Sequence, residues 1–194
     1  MKKTLTLGLL VSAVSIAQAA SLNWMINNVT LPETTTPASG VSIYLFISEQ
    51  SKEFGAGATS INAVSDFITT GAEFYTDTDG KNYLKKGDDK IGIAAMGTAN
   101  TSGGISGATG FNANNFAGGD SLKAFAVIFD SNSLATAKNF IVTSEKSASW
   151  TSGTGAKMLG FGSQANATWT PVPEPSTAVL ALAGLALLLK RRRA

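Results

Sequence analysis

Apolar segments with basic flanks lie at both ends of the chain, and they confine any globular fold to the residues between them. The first segment covers residues 1–19 and the second covers residues 172–194, which leaves a body of about 150 residues, 20–171. A body of this size forms one domain and can bury about two-thirds of its unfolded surface. Because the chain has no cysteine, we expect the body to fold around its own hydrophobic core without disulfides.

The N-terminal segment has the three parts of a secretory signal peptide. Lys2 and Lys3 precede an apolar stretch at 5–16, and Ala17 and Ala19 supply a small-x-small cleavage pattern. This order of basic, apolar and small residues is typical of a signal that is removed during export. We expect signal peptidase to read Ala17 and Ala19 and to cut after Ala19, with a cut after Ala20 as the alternative.

The C-terminal segment combines a short apolar run with a basic end. Residues 178–189 are all Ala, Val, Leu or Gly, and Lys190, Arg191, Arg192 and Arg193 follow them. As a helix, residues 176–189 would span about 21 Å, whereas the hydrocarbon core of a bilayer is about 30 Å thick. The basic cluster should stay in the cytoplasm and fix the orientation. We therefore expect a short transmembrane helix that holds the body temporarily on the outer side of the inner membrane.

A proline-flanked glutamate precedes this apolar run. Pro173 and Pro175 lack backbone N–H groups and keep Glu174 in extended backbone, the form in which proteases bind a substrate. The motif Val172-Pro173-Glu174-Pro175-Ser176, the apolar run and the basic end resemble, in this order, the PEP-CTERM sorting signal of Gram-negative bacteria. The resemblance covers residues 172–194 alone and says nothing about the fold of the body.

The resemblance implies a partner and a destination. Proteins with this signal are recognised by an exosortase, a membrane-embedded cysteine transpeptidase, which removes the tail near the Pro-Glu-Pro motif. The body is then released or passed to the cell surface. Such proteins usually accompany exopolysaccharide or biofilm matrix, so extracellular polysaccharide is the further partner that the resemblance implies.

Residue composition excludes several classes of function for the body. Residues 20–171 contain nine lysines, no arginine and twelve acidic residues, so their net charge is near −3. A body without arginine lacks the bidentate donor that nucleic-acid-binding proteins favour, and we expect no nucleic-acid partner. The absence of His and Cys excludes Ser-His-Asp and Cys-His catalysis and the usual zinc sites. We expect no cofactor.

The body is predicted to be mainly β. Segments rich in β-branched and aromatic residues, or alternating apolar and polar residues, predict strands at 22–26, 41–48, 90–96, 122–129 and 140–143, with weaker strands at 157–162 and 167–170. Short strands separated by turn residues favour an antiparallel β-sandwich. A jelly-roll-like barrel is the alternative. The segment 96–121 is rich in Gly, Ser, Thr and Asn, and it predicts either two short edge strands or a surface loop.

Two further elements are predicted from local patterns. Ile61, Val64, Phe67 and Ile68 share one helical face, which predicts a short accessory helix with Thr59 or Ser60 as its N-cap. A second, weaker helical turn is predicted at 133–138. Residues 73–86 predict a hairpin with a type I′ turn at Asp79-Gly80. Tyr75 and Tyr83 should lie opposite or diagonal to each other across this hairpin.

Asp77 and Asp79, with Asp88-Asp89 nearby, are the only candidates for a metal site. Calcium takes six to eight oxygen ligands, but this segment lacks the spacing of an EF-hand loop, and neighbouring lysines oppose a cation. A hydrophilic hairpin is the favoured interpretation.

Aromatic residues are the candidates for a sugar-stacking surface. Exposed rings suit the apolar face of a sugar, whereas core packing is the usual role of large aromatics and is the favoured interpretation. The candidates are Trp24, Trp150, Trp169, Tyr44, Tyr75 and Tyr83.

Together these patterns predict a non-catalytic, exported protein of the cell surface or extracellular matrix. The first alternative is a carbohydrate-binding module, which requires at least two of the named aromatics to form an exposed cluster. The second alternative is a small glycosidase that uses two carboxylates at a set separation. Twelve acidic residues offer many such pairs, so the sequence does not single one out.

Overall fold

The protein is described by a computed structural model that covers residues 20–49, 59–113, 121–149 and 157–172. It is mainly β, as predicted. One α-helix, α1, spans Ile61–Thr69, and a 3-10 helix spans Leu134–Thr136. The strands of the described residues are β1 Ala20–Asn27, β2 Ser42–Glu49, β3 Glu73–Thr76, β4 Asn82–Lys86, β5 Asp89–Ile93, β6 Ala95–Thr98, β7 Ile105–Ala113, β8 Ser121–Phe129, β9 Asn139–Val142, β10 Lys146–Ser149, β11 Lys157–Ser163 and β12 Thr170–Pro171.

A three-stranded sheet with the order β11-β1-β7 forms the first layer. β1 lies antiparallel to β7 but parallel to β11, with Leu22 opposite Lys157. Parallel strands need a crossover connection. Here the chain between β1 and β11 supplies it and includes the strands of the second sheet. Leu22, Trp24 and Ile26 alternate along β1 and are all fully buried, so this sheet has one apolar face.

A larger antiparallel sheet with the order β12-β9-β8-β2-β6 forms the central layer, and β10 also pairs with β8. Its two central strands, β2 and β8, are buried on both faces. Ile43, Leu45 and Ile47 face the first sheet, whereas Tyr44 and Phe46 face the opposite side. Burial on both faces explains why these strands are continuous apolar segments rather than alternating ones.

The first hydrophobic core lies between these two sheets and makes them a sandwich. Trp24 of β1, Leu159 and Phe161 of β11, and the even-numbered side chains from Leu122 to Ile128 of β8 meet there. The two packed sheets fit the predicted sandwich, and the described strands form no closed barrel. The jelly-roll-like barrel is not what these strands form.

A third layer covers the other face of the central sheet. It consists of α1 and a small sheet with the order β3-β4-β5. Ser60 caps the helix, since its Oγ accepts a hydrogen bond from the Ala63 N–H at 3.1 Å. Val64 and Ile68 of α1 and Leu84 of β4 pack against the aromatic face of the central sheet and complete a second core. The predicted accessory helix thus supports a packed layer.

The hairpin of β3 and β4 has the predicted strands but a different turn. Asp77 N–H donates to Lys81 C=O at 2.9 Å. This hydrogen bond closes a loop of three residues, 78–80. Of these, only Gly80 has a positive φ, +76°. A type I′ turn needs positive φ at both central residues, so the type I′ prediction is wrong. Asp79 remains in an ordinary conformation because the extra loop residue places only Gly80 in the left-handed region.

Four segments differ from the sequence prediction in detail. Segment 90–96 divides into β5 and β6 at Ala94, whose N–H donates to Leu45 C=O at 2.8 Å. The Gly-rich segment after Met96 contains one long strand, β7, where two short strands or a loop were predicted. The strand predicted at 167–170 is shorter, since β12 covers Thr170–Pro171, and it pairs with β9. The strand β10 was not predicted.

In the part of the chain that the structure describes, no helix combines the length and apolar character that a membrane span requires. The predicted C-terminal transmembrane helix lies outside the described residues.

Candidate functional site

The outward face of the β3-β4-β5 sheet carries the candidate site. Leu84 and Ile91 point inward to the second core. Because successive side chains of a strand alternate between faces, their neighbours point outward. The outward residues include Glu73, which is exposed and lies opposite Lys85. Four others, Tyr75, Tyr83, Lys85 and Lys90, are here called the tyrosine–lysine face.

Strand register brings the four side chains of this face together. Tyr75 lies directly opposite Tyr83, and Lys85 lies directly opposite Lys90. The two tyrosine ring centroids are 6.4 Å apart, with the rings tilted by 34°. The Lys85 ammonium lies 5.0 Å from the centroid of the Tyr75 ring, and the Lys90 ammonium lies 4.5 Å from that of Tyr83. The face is thus a pair of rings with two ammonium groups above them.

The tyrosine–lysine face is accessible to a ligand. Tyr75 is 39% exposed, which is unusual for a large aromatic residue in a protein with a filled core. The residue opposite Tyr83 on β5 is Gly92, which leaves room for the Lys90 side chain of the same strand to reach over that ring. Within the described residues, neither lysine of the face lies within 4.0 Å of a carboxylate oxygen. The ammonium groups therefore keep donors for an external acceptor.

The turn of the β3–β4 hairpin fixes one end of the face. The Asp77 Oδ1 accepts hydrogen bonds from the N–H groups of Asp79, at 3.0 Å, and Lys81, at 2.8 Å. The Tyr83 hydroxyl bonds to the same carboxylate. Partial desolvation alone would raise the pKa of Asp77, but these hydrogen bonds and the Lys81 charge outweigh it and hold the pKa below its usual value.

The phenol of Tyr83 responds in the opposite direction. Partial desolvation, the hydrogen bond to Asp77 and the nearby negative charges of Asp77 and Asp79 raise its pKa. Each of these effects disfavours a phenolate. Tyr83 therefore stays a neutral hydrogen-bond donor at physiological pH, and its ring position is tied to the hairpin turn.

The predicted metal candidates Asp77 and Asp79 are both in this turn. One Asp77 oxygen is occupied by two backbone N–H groups, as in an Asx turn. Among the described residues, no group of three or more potential metal-ligating side chains is found. The carboxylate of Asp77 thus stabilises the turn that holds Tyr83.

The other predicted aromatics are not part of the face. Trp24 is fully buried in the first core, and Tyr44 is 4% exposed in the second core. Burial raises the pKa of Tyr44, although a hydrogen bond with Ser42 lowers it in part. Trp169 is half-buried beside residues 30–36. Trp150 lies outside the described residues. Core packing was thus the correct interpretation for Trp24 and Tyr44, and surface exposure for Tyr75.

Lys85 and Lys90 are site residues that were not predicted from the sequence. Their only role there was to oppose a bound cation. The signal that could have found them is the hairpin register, because an outward Tyr75 opposite Tyr83 places the residues two positions away on the same face.

The first residue of the predicted sorting motif is attached to the body. Val172 N–H donates to Lys138 C=O at 2.7 Å, and its side chain packs against the second core. Immediately before it, β12 pairs with β9, with Pro171 opposite Asn139. No spacer therefore separates the folded body from the motif. The remaining predicted sorting residues lie outside the described residues, so their roles stay predictions: Ala17, Ala19, Pro173, Glu174, Pro175, Ser176, Lys190, Arg191, Arg192 and Arg193.

Comparison with known protein families confirms the resemblance at the C-terminus. Residues 171–194 match the family model described as the PEP-CTERM protein-sorting motif. No curated protein and no solved structure matches the chain. The match makes the protein an exported one that is targeted to an exosortase at the membrane, with the cell surface or the extracellular space as its destination.

Proposed function

We propose that this protein is a non-catalytic component of the cell surface or extracellular matrix that binds acidic polysaccharide through its tyrosine–lysine face. The sorting motif at residues 171–194 supports delivery to the place where such polymers accumulate. The single observation that carries the binding proposal is the Tyr75–Tyr83 pair, with Tyr75 exposed and Tyr83 half-buried, and with two ammonium groups above the rings.

The chemistry of this face suits a sugar that carries an acidic group. The C–H-rich face of a pyranose ring is apolar, so it packs on an exposed aromatic ring and removes both surfaces from water. A carboxylate on the same sugar then accepts charge-assisted hydrogen bonds from the Lys85 or Lys90 ammonium. Because each ammonium group lies over a ring, at 5.0 and 4.5 Å from the centroids, a sugar that packs on a ring displaces the flexible lysine side chain from the ring face, and the ammonium then meets the carboxylate of the same sugar.

Support for a non-catalytic role comes from the composition and from the turn. The chain has no His and no Cys, which removes the most common nucleophile and general-base pairs. Asp77, at the turn beside the face, accepts two backbone hydrogen bonds from its own hairpin, and its lowered pKa disfavours the protonated state that a general acid needs.

The attachment of Val172 supports retention of the body close to the membrane during sorting. Because β12 is paired with β9 up to the residue before the motif, the body stays within a few residues of the membrane until the tail is removed.

Affinity electrophoresis of the exported protein tests the proposal. Alginate serves as the acidic polymer and dextran as the neutral one. We expect alginate, but not dextran, to retard the protein. The double variant Tyr75→Ala/Tyr83→Ala should weaken retardation at least about tenfold, or about 1.4 kcal/mol, since each ring removes apolar area from water when it packs against the sugar.

A matched pair of lysine variants supplies the control. Lys85→Gln removes an ammonium group from the face, whereas Lys86→Gln removes the same charge from the adjacent residue, which points the other way on β4. We expect the first to weaken alginate binding and the second to leave it unchanged. Equal effects of both variants would show that alginate binding depends on net charge alone. That result would overturn the proposed site.

A further inference from the structure

A second concave surface lies away from the tyrosine–lysine face, between the loop after β1 and the loop after β11. It is a groove of about 580 Å³. One wall is polar, with a carboxylate and several hydroxyl groups, and the other contains an indole ring. The polar and aromatic lining residues include Thr30, Glu33, Thr34, Thr35, Thr36 and Trp169.

The two walls are joined by direct hydrogen bonds, so the groove is preformed. The Trp169 Nε1–H donates to Thr30 C=O at 3.1 Å, and the Thr30 hydroxyl donates to Ala165 C=O at 2.9 Å. Leu31 and Trp169 also pack against the first core. A ligand that enters this groove therefore meets a fixed indole ring and does not have to order the loops.

Glu33 has a backbone conformation that its side chain does not favour. Leu31, Pro32, Glu33 and Thr34 form a turn in which the Thr34 N–H donates to Leu31 C=O at 3.2 Å. Glu33 occupies the third position with φ +58°, where turns of this kind use Gly or Asn. Among the residues that the structure describes, the other positive-φ residue that is not glycine is Asn28, whose side chain tolerates that region. Backbone strain of this kind clusters at functional sites, and at a concave surface it motivates a functional hypothesis for the Glu33 side chain.

We propose that this groove is a second saccharide site, which takes a sugar unit that presents amine or hydroxyl donors. The sugar ring would lie against the Trp169 indole, its donors would bond to the Glu33 carboxylate, and its remaining hydroxyls would bond to the threonines of the opposite wall. An acidic sugar is disfavoured because its charge would face that of Glu33. This preference is opposite to that of the tyrosine–lysine face.

Two sites with opposite charge preference give the protein a further capability. One molecule can hold an acidic chain on the tyrosine–lysine face and an amine-bearing chain in the groove at the same time. Linked binding of this kind raises the strength of a polymer network beyond that of either contact alone. The groove proposal does not depend on the first site, since the two involve separate residues and layers.

Two variants at Glu33 separate a structural role from a binding role. Glu33→Gln keeps the side-chain size and the strained turn but removes the charge. Glu33→Gly removes the side chain and relieves the strain, because glycine adopts positive φ freely. Titration of the exported protein with a tetrasaccharide of glucosamine, followed by NMR or calorimetry, measures the affinity of the groove for an amine-bearing sugar. We expect both variants to lose affinity about tenfold or more, and Glu33→Gly also to raise the melting temperature.

Parallel titration with alginate keeps the two proposals distinguishable. Both Glu33 variants should bind alginate as the parent protein does. The groove proposal is overturned if the parent protein fails to bind the glucosamine tetrasaccharide at millimolar concentration, or if Glu33→Gly binds it unchanged. A loss of alginate binding in the tyrosine variants alone bears only on the tyrosine–lysine face.

Discussion

Thr143 and Ala126 are joined by two hydrogen bonds, one of which uses a side chain in place of the backbone. Thr143 N–H donates to Ala126 C=O at 2.9 Å, and Ala126 N–H donates to the Thr143 Oγ1, also at 2.9 Å. Thr143 is 2% exposed and follows the last residue of β9. It lies where the partner of β8 changes from β9 to β10, so the hydroxyl satisfies a buried N–H that would otherwise lack an acceptor.

Replacement of Thr143 by valine should destabilise the body. The two side chains have similar shape, but valine has no acceptor for the Ala126 N–H, which would remain buried and unpaired. We expect a loss of about 1–3 kcal/mol in the free energy of unfolding, measured by urea denaturation. Thr143→Ser keeps the hydroxyl and should lose less. If valine proves as stable as threonine, the side-chain hydrogen bond does not support this junction.

The contact between Gly97 and Ile105 marks where the edges of the two sheets meet. A Cβ at position 97 would lie 2.1 Å from the Ile105 Cδ1. We therefore expect Gly97→Ala to cost about 1–3 kcal/mol of stability, because Ile105 must leave its position.

A double variant tests this contact. Ile105→Val removes the clashing methyl group, so Gly97→Ala should cost less in the valine background than in the parent protein. Thermal unfolding of the four proteins gives the coupling between the two positions. Strictly additive effects would show that the cost of Gly97→Ala has another origin.

The lowered pKa of Asp77 predicts that the hairpin loses stability in acid. Its pKa in the folded protein is below the usual value, since the hydrogen bonds and the Lys81 charge outweigh partial desolvation. A lowered folded pKa contributes stability that is present above the unfolded pKa and is lost as pH falls through the folded pKa, here below about pH 4. Asp77→Asn should therefore lose less stability than the parent between pH 7 and pH 3. Equal losses in thermal melts at the two pH values would contradict this role.

The strand that precedes the sorting motif should slow tail removal. Val172→Pro removes the N–H that bonds to Lys138 C=O, and one hydrogen bond of about 1 kcal/mol changes the population of the detached strand about fivefold. We expect faster removal of the tail in pulse-chase experiments, whereas Val172→Thr, which keeps the N–H, should match the parent. A slower rate in the proline variant would show that Val172 is needed by the exosortase itself.

Much of the fold was predictable because local pattern and burial agree. The alternation of β1, the apolar segments of β2 and β8 and the helical face of α1 each identified an element correctly. The pairing of Tyr75 with Tyr83 was also foreseen as one of two registers. These features depend on side-chain periodicity within one element or one hairpin.

Features that depend on contacts between distant segments were not predictable. The parallel pairing of β1 with β11 joins residues that are more than 130 positions apart. β10 is short and polar, with the sequence KSAS, and it is a strand only because β8 offers it a paired edge. Glu33 and Trp169 form one groove because the Trp169 Nε1–H bonds to Thr30 C=O, a contact that no local pattern indicates.

Intact-mass spectrometry of the native protein after export tests the account most directly. The account predicts that most molecules end close to the Pro-Glu-Pro motif, after about residue 175, with β12 retained and the apolar run and basic end absent. Recovery of most molecules with Arg193 and Ala194 still present would contradict exosortase processing and, with it, the delivery of the body to extracellular polysaccharide.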